Sequence, residues 1–389
     1  MAKTEQLSLL PPNLEVSKAR NVRDDFNFCR LALFVSSDKK AERFRDIEQR
    51  YSVDVGGDSF EAVWEVRHDA KLGLPGSFDR DVWLGIMEIV QEQTAAGRKP
   101  VPEIIELGSL REFLRRIGKN DGGKFTAKLK ESIKRLTRTT CFTERSYNCP
   151  STGGYLELVK PLHLIEECAF KGDKTPTGEM VHSTWIKLGD YVRKNLESGY
   201  IALLDLHYIR ALDGEFSKQL VPFLSYRFWL ASQRGRDFVS VGWEELATYL
   251  AASGWENLAR AKQRLEGPVR ELIHRKYIAA NSEWNGDRFV FWMGDKFIDE
   301  LQERLQAREH YKSWIASQSS QRQLKLLPNT VEVRTRISEE DQRQSVLMRQ
   351  AIKIGVLHQQ PDTALLTSNG WTVEDALSLA RTISRKAIG

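Results

Sequence analysis

Basic side chains are concentrated in one stretch of this sequence, Ser109 to Thr140, and their chemistry suits contact with nucleic acid. The stretch holds ten lysines or arginines and three acids, a net charge of +7, whereas the whole chain carries +5. A phosphate backbone favours such concentrated charge because each neutralised phosphate releases condensed counterions. The alternative, a basic face that is only solvated, stays open at this point.

Two helices joined by a glycine-rich turn are predicted to position these side chains. Ser109 and Glu112 have the spacing of a capping box at a helix start. Glycines between 118 and 123 allow the chain to reverse. Apolar residues between Phe125 and Leu136 then recur as one buried stripe of a second helix. Its opposite, solvent-facing side is predicted to present the DNA-contacting residues Lys124, Thr126, Lys128, Lys130, Lys134, Arg135 and Arg138.

The segments around this helix pair predict a winged helix. An amphipathic helix over 79–90 and a short strand over 103–107 come before it. Two strands, 140–144 and 154–159, follow it and are predicted to form the wing. Helices followed by a two-stranded wing are typical of DNA-binding domains of this class.

The same order of elements recurs after a polar, turn-rich segment over 171–178. A second basic helix is predicted from Trp255 to about Tyr277, and Asn285-Gly286 marks a tight hairpin behind it. From Trp255 to Lys276 this helix carries six basic and three acidic residues, a net +3. A helix that only packs, with a solvated outer face, is the open alternative. The second set of DNA-contacting residues is predicted to be Arg260, Arg264 and Arg270.

The predicted fold is therefore α+β: tandem winged-helix (helix-turn-helix) domains with a mobile N-terminal arm and a helical C-terminal extension. The predicted boundaries are 1–25 for the arm, 26–170 for the first domain, 171–180 for a linker, 181–297 for the second domain and 298–389 for the extension, which includes a flexible linker.

Several classes of function lack their signatures in this sequence. It contains no phosphate-binding glycine loop, no dinucleotide fingerprint and no His-Glu-x-x-His zinc motif, and its seven histidines include no His-x-His pair. We therefore expect no catalytic residues, no metal and no cofactor. With no run of about 18 apolar residues and no signal peptide, a cytoplasmic protein is expected. Its four cysteines are expected to be reduced, with a Cys141–Cys149 disulfide as the alternative.

One short peptide in the N-terminal arm predicts a partner. Gln6-Leu7-Ser8-Leu9-Leu10 resembles the bacterial sliding-clamp binding motif, in which Gln makes a polar contact and the final apolar residues fill a pocket. The residues assigned to this contact are Gln6, Leu7, Leu9 and Leu10. The alternative is a tail segment that packs on its own domain.

Over roughly residues 5 to 296 the sequence resembles the plasmid replication initiators, especially the replication initiator protein A group and a similar broad-host-range initiator with a clamp motif. The stretches that carry the resemblance are Phe26–Phe34, Ser37–Lys40, Gly73–Pro75, Asp79–Val82, Gly123–Thr140 and the helix Phe216–Trp229.

This resemblance implies a sequence-specific double-stranded DNA-binding initiator. Such proteins bind direct repeats at an origin, promote melting and recruit host replication proteins. The implied partners are the sliding clamp, the host initiator and the replicative helicase, together with self-association as a dimer. The cations of the first basic helix would face one groove of a repeat and Arg260, Arg264 and Arg270 the neighbouring one.

Two other functions remain open from the sequence. A winged-helix transcriptional repressor without replication activity would have the same two basic helices. A nicking enzyme would form a tyrosine–DNA adduct and would use the His-x-His pair that this chain lacks.

Overall fold

Helices and antiparallel sheets alternate along the chain in the computed structural model, which confirms the predicted combination of both. The structure describes residues 21–36, 46–55, 58–95, 100–152, 154–157, 161–174, 177–251 and 255–302. All of them belong to one unit, Gln6–Ser317, and a second unit, Met1–Glu5 with Gln318–Gly389, lies outside the described residues. The predicted C-terminal helical extension beyond residue 302 and most of the N-terminal arm also lie outside them.

A four-stranded antiparallel sheet forms the first layer. Its strand order is β2-β3-β5-β6. The side chain of Trp64 is fully buried on this sheet, and its indole N–H donates to the carbonyl of Ala32 at 2.7 Å, so the ring packs without an unsatisfied donor. The strands are β2 (Ile47–Val55), β3 (Asp58–Arg67), β5 (Thr140–Cys149) and β6 (Gly154–Glu157).

The predicted helix pair lies beside a second, three-stranded sheet. This sheet has the order β4-β8-β7, with all neighbours antiparallel. The elements are α1 (Ser77–Ala95), β4 (Ile104–Gly108), α2 (Leu110–Arg116), α3 (Gly123–Arg138), β7 (Ile165–Ala169) and β8 (Thr184–Leu188).

The structure corrects the predicted position of the first hairpin. Strands β5 and β6, which the sequence pattern assigned to a wing, instead extend the sheet that β2 and β3 begin. The hairpin that pairs with β4 is β7–β8, and the segment predicted as a linker closes it. Lys174 and Met180 form a bridge there, and the Gly172 amide donates to the Val181 carbonyl at 2.9 Å. Alternating apolar residues identified β5 and β6 as strands, but only long-range pairing chooses their sheet.

The second half of the chain contains a three-stranded sheet of order β10-β12-β11, and no strands corresponding to β5 and β6 lie between its basic helix and its hairpin among the described residues. Gly286, at φ 64°, makes the turn of the predicted Asn285-Gly286 hairpin between β11 and β12. The elements are α4 (Asp190–Ser198), β9 (Ile201–Asp205), α5 (Leu206–Ala211), α6 (Glu215–Ser232), β10 (Phe238–Gly242), α7 (Trp243–Leu250), α8 (Leu258–His274), β11 (Glu283–Asn285) and β12 (Arg288–Trp292).

Strand pairing crosses the boundary that was predicted between the two domains. Strand β8, assigned to the second domain, pairs with β4 of the first. Strand β1 (Asn21–Asp25) pairs antiparallel with β9, and its Val22 is buried, so residues 21–25 are a strand rather than part of an arm. These strand pairs connect the two halves of the chain. The division into two winged-helix domains therefore stays a prediction.

Two adjacent buried carboxyls anchor strand β1. Asp24 accepts a hydrogen bond from the indole N–H of Trp83 in α1 at 3.0 Å. Asp25 accepts from the Tyr147 hydroxyl of β5 and from the Asn195 amide of α4 at 3.0 Å. Burial raises the pKa of Asp24 to about 7 and that of Asp25 to about 6, although hydrogen bonds from Trp83 and Tyr147 favour the ionised forms.

Three further observations bear on the expectations about chemistry. Among the described residues, no helix has the length and apolar character needed to cross a membrane. Within the same part of the chain, no three His, Cys, Asp or Glu side chains come together as metal ligands. Cys29, Cys141, Cys149 and Cys168 are free thiols, and burial raises the pKa of Cys141.

Candidate nucleic-acid interface

Helices α2 and α3 form because their ends and apolar faces are well specified. The Ser109 hydroxyl oxygen accepts from the Glu112 amide at 3.2 Å and donates to the Glu112 carboxylate at 2.8 Å. In α3, the predicted stripe residues Leu129, Ile133 and Leu136 are fully buried. The opposite side of α3 is consequently held toward solvent.

Aromatic rings orient three of the predicted lysines of α3. The ammonium nitrogens of Lys130 and Lys134 lie 5.1 Å and 5.7 Å from the ring centroid of Phe170, at the end of β7. The ammonium nitrogen of Lys128 lies 4.3 Å from the Phe78 ring centroid. Cation–π attraction and packing of the aliphatic stems restrict these side chains while the charged ends stay near the surface. Lys124 is exposed at the start of the helix.

Arg135 lies inside the protein, contrary to the prediction that it faces solvent. Only 3% of its side chain is exposed. Its guanidinium bonds the Asp79 carboxylate at 2.6 Å, the Leu72 carbonyl at 2.8 Å and the Glu131 carboxylate. The helical periodicity places Arg135 beside the exposed cations, but the first turn of α1 covers that edge of α3. The Arg135 guanidinium therefore bonds other groups of the protein and does not face solvent.

The other predicted residues of α3 divide into exposed and half-buried ones. Arg138 has 55% of its side chain exposed and lies 3.7 Å from the Asp69 carboxylate. Thr126 is half-buried, and its hydroxyl donates to the Gly122 carbonyl at 3.3 Å. The exposed cations of α3 are thus Lys124, Lys134 and Arg138. Glu131 is the one acidic side chain among the described residues of this helix.

The β7–β8 hairpin adds cations that the sequence analysis missed. Lys171 and Lys174 are exposed in the connection that follows Phe170, the ring against which Lys130 and Lys134 pack. A sequence signal was present, because the polar Lys-Gly-Asp-Lys segment separates two strand-like stretches. The pairing of those two stretches with each other depends on the tertiary structure.

Helix α8 presents its three predicted arginines to solvent. Arg260, Arg264 and Arg270 are exposed, and Arg270 bonds Glu266 one turn earlier at 2.6 Å. The Asn257 side chain caps the helix by accepting from the Arg260 amide at 3.0 Å. Buried residues on the opposite side hold the helix in place, namely Ala261, Leu265 and Leu272.

The hairpin β11–β12 lies next to α8, as β7–β8 lies next to α3. The ammonium of Lys262 lies 5.5 Å from the Trp284 ring centroid of β11. The Arg288 guanidinium donates to the hydroxyl and the carbonyl of Ser240 at 3.0 Å and 2.7 Å, which ties β12 to β10. Lys262 and Trp284 were not singled out from the sequence, because a cation and an aromatic ring over twenty residues apart show no common period.

The four residues assigned to sliding-clamp contact, Gln6, Leu7, Leu9 and Leu10, lie outside the described residues.

Comparison with known proteins yields a family and a structural neighbour. The family model for replication initiator protein A matches residues 23–221, which run from β1 into α6. A comparison with curated proteins finds no match. Among solved structures, the chain is similar to a crystal structure of RctB domains 2-3, with 16% identity and a TM-score of 0.37; the match covers 68% of this chain and 96% of that one.

Proposed function

The chain belongs to the replication initiator protein A family, and from that premise we propose that it initiates plasmid replication by binding double-stranded DNA at repeated sites in an origin. In this proposal it acts without a catalytic step of its own. It promotes melting of the origin and recruits host replication proteins, and it self-associates as a dimer.

Two groups of elements support DNA binding because in each a short helix and a basic helix lie beside a three-stranded sheet that ends in a hairpin, the combination expected of a winged helix. The first is α1-β4-α2-α3-β7-β8, with β5 and β6 inserted between α3 and β7, and the second is α6-β10-α7-α8-β11-β12. In both groups the first strand pairs with the last, which pairs in turn with the middle one. Each group presents the basic face of its last helix to solvent, beside its hairpin. This shared arrangement is the single observation that carries the proposal.

A helix of this kind fits the major groove, where lysine and arginine bond phosphates and guanine edges. We assign Lys124, Lys134 and Arg138 of α3 to one groove and Arg260 and Arg264 of α8 to the neighbouring one. Lys171 and Lys174 of the β7–β8 hairpin are assigned to the backbone beside α3. Arg135 is left out of this set, since its guanidinium already bonds Asp79 and Glu131.

The test is a binding titration with duplexes tiled from the DNA that flanks the protein's own gene, at two salt concentrations. Wild-type protein should bind one fragment with directly repeated sites far more tightly than random DNA. Lys134→Ala and Arg138→Ala should each weaken that binding by about three- to tenfold, through the loss of a phosphate or base contact.

Arg50→Ala is the matched control for Arg138→Ala. Arg50 has 54% of its side chain exposed, against 55% for Arg138, and it also lies near acidic side chains, but it belongs to β2. Its removal should leave the affinity unchanged. Equal losses for both variants would show nonspecific attraction, and unchanged affinity for Lys134→Ala and Arg138→Ala would overturn the assignment of α3.

Initiation itself needs a separate test, because a repressor would also bind DNA. A plasmid that contains the bound fragment but lacks the gene should replicate only when this protein is supplied from another replicon. Tight repeat binding without such maintenance would favour a transcriptional repressor.

A further inference from the structure

We infer that Asp79 and Arg80, at the first turn of α1, hold the two DNA-binding helices α3 and α8 at a fixed distance from each other. Arg80 is then a positioning residue: it determines which separation between the two contacted DNA segments the protein binds. The inference rests on the proposed function, since it concerns how both helices engage one site.

The first link joins α1 to α3. The Asp79 carboxylate is fully buried, accepts from the Arg135 guanidinium at 2.6 Å and accepts from the Gly76 amide at 2.6 Å. A charge pair in this dry environment is screened little by salt, and its geometry tolerates little change. The pair therefore fixes the position of α3 against the start of α1.

The second link joins α1 to the other half of the chain. Arg80, the next residue, has only 4% of its side chain exposed. Its guanidinium donates to the Glu215 carboxylate at 2.7 Å and to the Glu215 carbonyl at 3.3 Å, at the first residue of α6. Arg80 and Lys218 lower the pKa of Glu215 although its burial acts in the opposite direction. Glu215 is thus ionised at neutral pH, and its carboxylate bonds both Arg80 and, within α6, Lys218.

The third link joins α6 to α8. Glu271 of α8 accepts from the amides of Asp213 and Gly214 at 2.6 Å and 3.1 Å, and from the Ser217 hydroxyl at 2.5 Å. This carboxylate satisfies backbone donors that the N-terminus of α6 leaves open. The same end of α6 is consequently bonded to Arg80 of α1 and to Glu271 of α8.

A parallel contact strengthens this path. Glu88, further along α1, lies 3.7 Å from Arg116 of α2 and 3.1 Å from Arg210 of α5. Both halves of the chain are therefore bonded to the same side of α1. In contrast, among the described residues the Arg193 guanidinium pairs within α4 alone, with Asp190 and Glu197.

Footprinting first identifies the two DNA segments that the protein protects from nuclease cleavage. The probes for the test are the bound repeat and the same repeat with two or five base pairs inserted between those protected segments. A duplex with only one of those segments intact is the third probe. Wild-type protein should prefer the intact repeat over the inserted ones by on the order of a hundredfold, because both helices cannot engage a longer site.

Arg80→Ala should reduce that preference to less than about tenfold, while binding to the single-segment duplex stays within about twofold of wild type. A preference unchanged from wild type would overturn the inference. An equal loss on the intact and single-segment duplexes would also overturn it, because Arg80 would then support one helix rather than the spacing.

A charge exchange separates positioning from general damage to the fold. Arg80→Glu combined with Glu215→Arg should restore part of the preference for the intact repeat that each single change removes. If the single changes only damaged the fold, the double variant would lose more of this preference than either single variant. Arg193→Ala is the matched control and should leave the preference unchanged. Absence of any repeat-specific binding by wild-type protein would instead contradict the proposed function.

Discussion

Helices α3 and α8 both present basic side chains to solvent but are held in the protein by different means. Helix α3 has a buried ion pair, Arg135 with Asp79, and its exposed cations are Lys124, Lys134 and Arg138, of which Lys134 packs near Phe170. Helix α8 is held by apolar residues and by the Glu271 carboxylate at the start of α6, and its predicted cations are arginines with exposed side chains.

If both helices bind DNA as proposed, this difference predicts a separate role for each. Lysine is a compact, hydrated point charge that suits phosphate, whereas the planar arginine fork bonds guanine through two hydrogen bonds. We therefore expect α3 to contribute more to affinity through the backbone and α8 more to the choice of sequence.

The largest expected effect tests whether Arg135 is structural while Arg264 is not. Arg135→Met leaves the buried Asp79 carboxylate without its partner and should lower the free energy of unfolding by about 3 to 5 kcal/mol. Arg264→Met removes an exposed cation and should change it by less than about 0.5 kcal/mol. Urea-induced unfolding followed by tryptophan fluorescence measures both. Equal stability of the two variants, with weaker DNA binding by Arg135→Met, would show that Arg135 contacts DNA.

Opposite pH dependences should distinguish the buried carboxyls of β1 from the Glu271 carboxylate of α8. Asp24 and Asp25 have pKa values raised to about 7 and about 6, above the value of about 3.9 for an unfolded chain. Their favourable contribution is fully present below about pH 4 and is lost as pH rises through about 6 and 7, by a few kcal/mol in all.

Asp24→Asn should therefore flatten the loss of stability between about pH 4 and about pH 7. For Glu271, hydrogen bonds from Ser217 and from the amides of Asp213 and Gly214 outweigh burial and lower its pKa. Its contribution is present above the unfolded pKa and is lost as pH falls through the folded one. Glu271→Gln should remove stability at neutral pH and leave a shallower loss in acid. Thermal unfolding across this pH range measures both, and parallel curves for wild type and variants would contradict the assignment.

Exchange of the cation types should test these separate roles. Arg264→Lys keeps the charge but loses the two-pronged contact, so discrimination at one base pair should fall by about 1 to 3 kcal/mol. Lys134→Ala should instead reduce the slope of log affinity against log salt by about 0.9, with base discrimination kept. Competition with single-base variants of the repeat, at several salt concentrations, reads both quantities. The reverse pattern would exchange the roles of α3 and α8.

The smallest effect compares glycines at the hairpin of α8 and at the start of α3. Gly286 has φ 64°, a left-handed conformation, so Gly286→Ala should cost about 1 kcal/mol of stability. Gly123 is the control, because a Cβ atom there would meet no atom within 4 Å and its φ is not positive. A loss as large in Gly123→Ala as in Gly286→Ala would show that turn geometry is not the cause.

Local patterns in the sequence were sufficient to predict most single elements near the interface. The apolar stripe of α3, the Ser109 cap and the Asn285-Gly286 turn each depend on neighbours within one or two helical turns or within one hairpin. Strands β1 and β9 escaped prediction because β1 contains a single buried apolar residue, Val22, and gains its hydrogen bonds from a strand about 180 residues away.

The sequence by itself determined the two basic helices and their apolar faces, because helical periodicity and charge are properties of adjacent residues. Only the tertiary structure decided which hairpin accompanies α3 and which cations remain at the surface. Strand β4 pairs with β8 rather than β5, through hydrogen bonds between residues about 80 positions apart in the sequence. Arg135 lies beside exposed lysines on the helix, and it is buried because the start of α1 brings Asp79 against it.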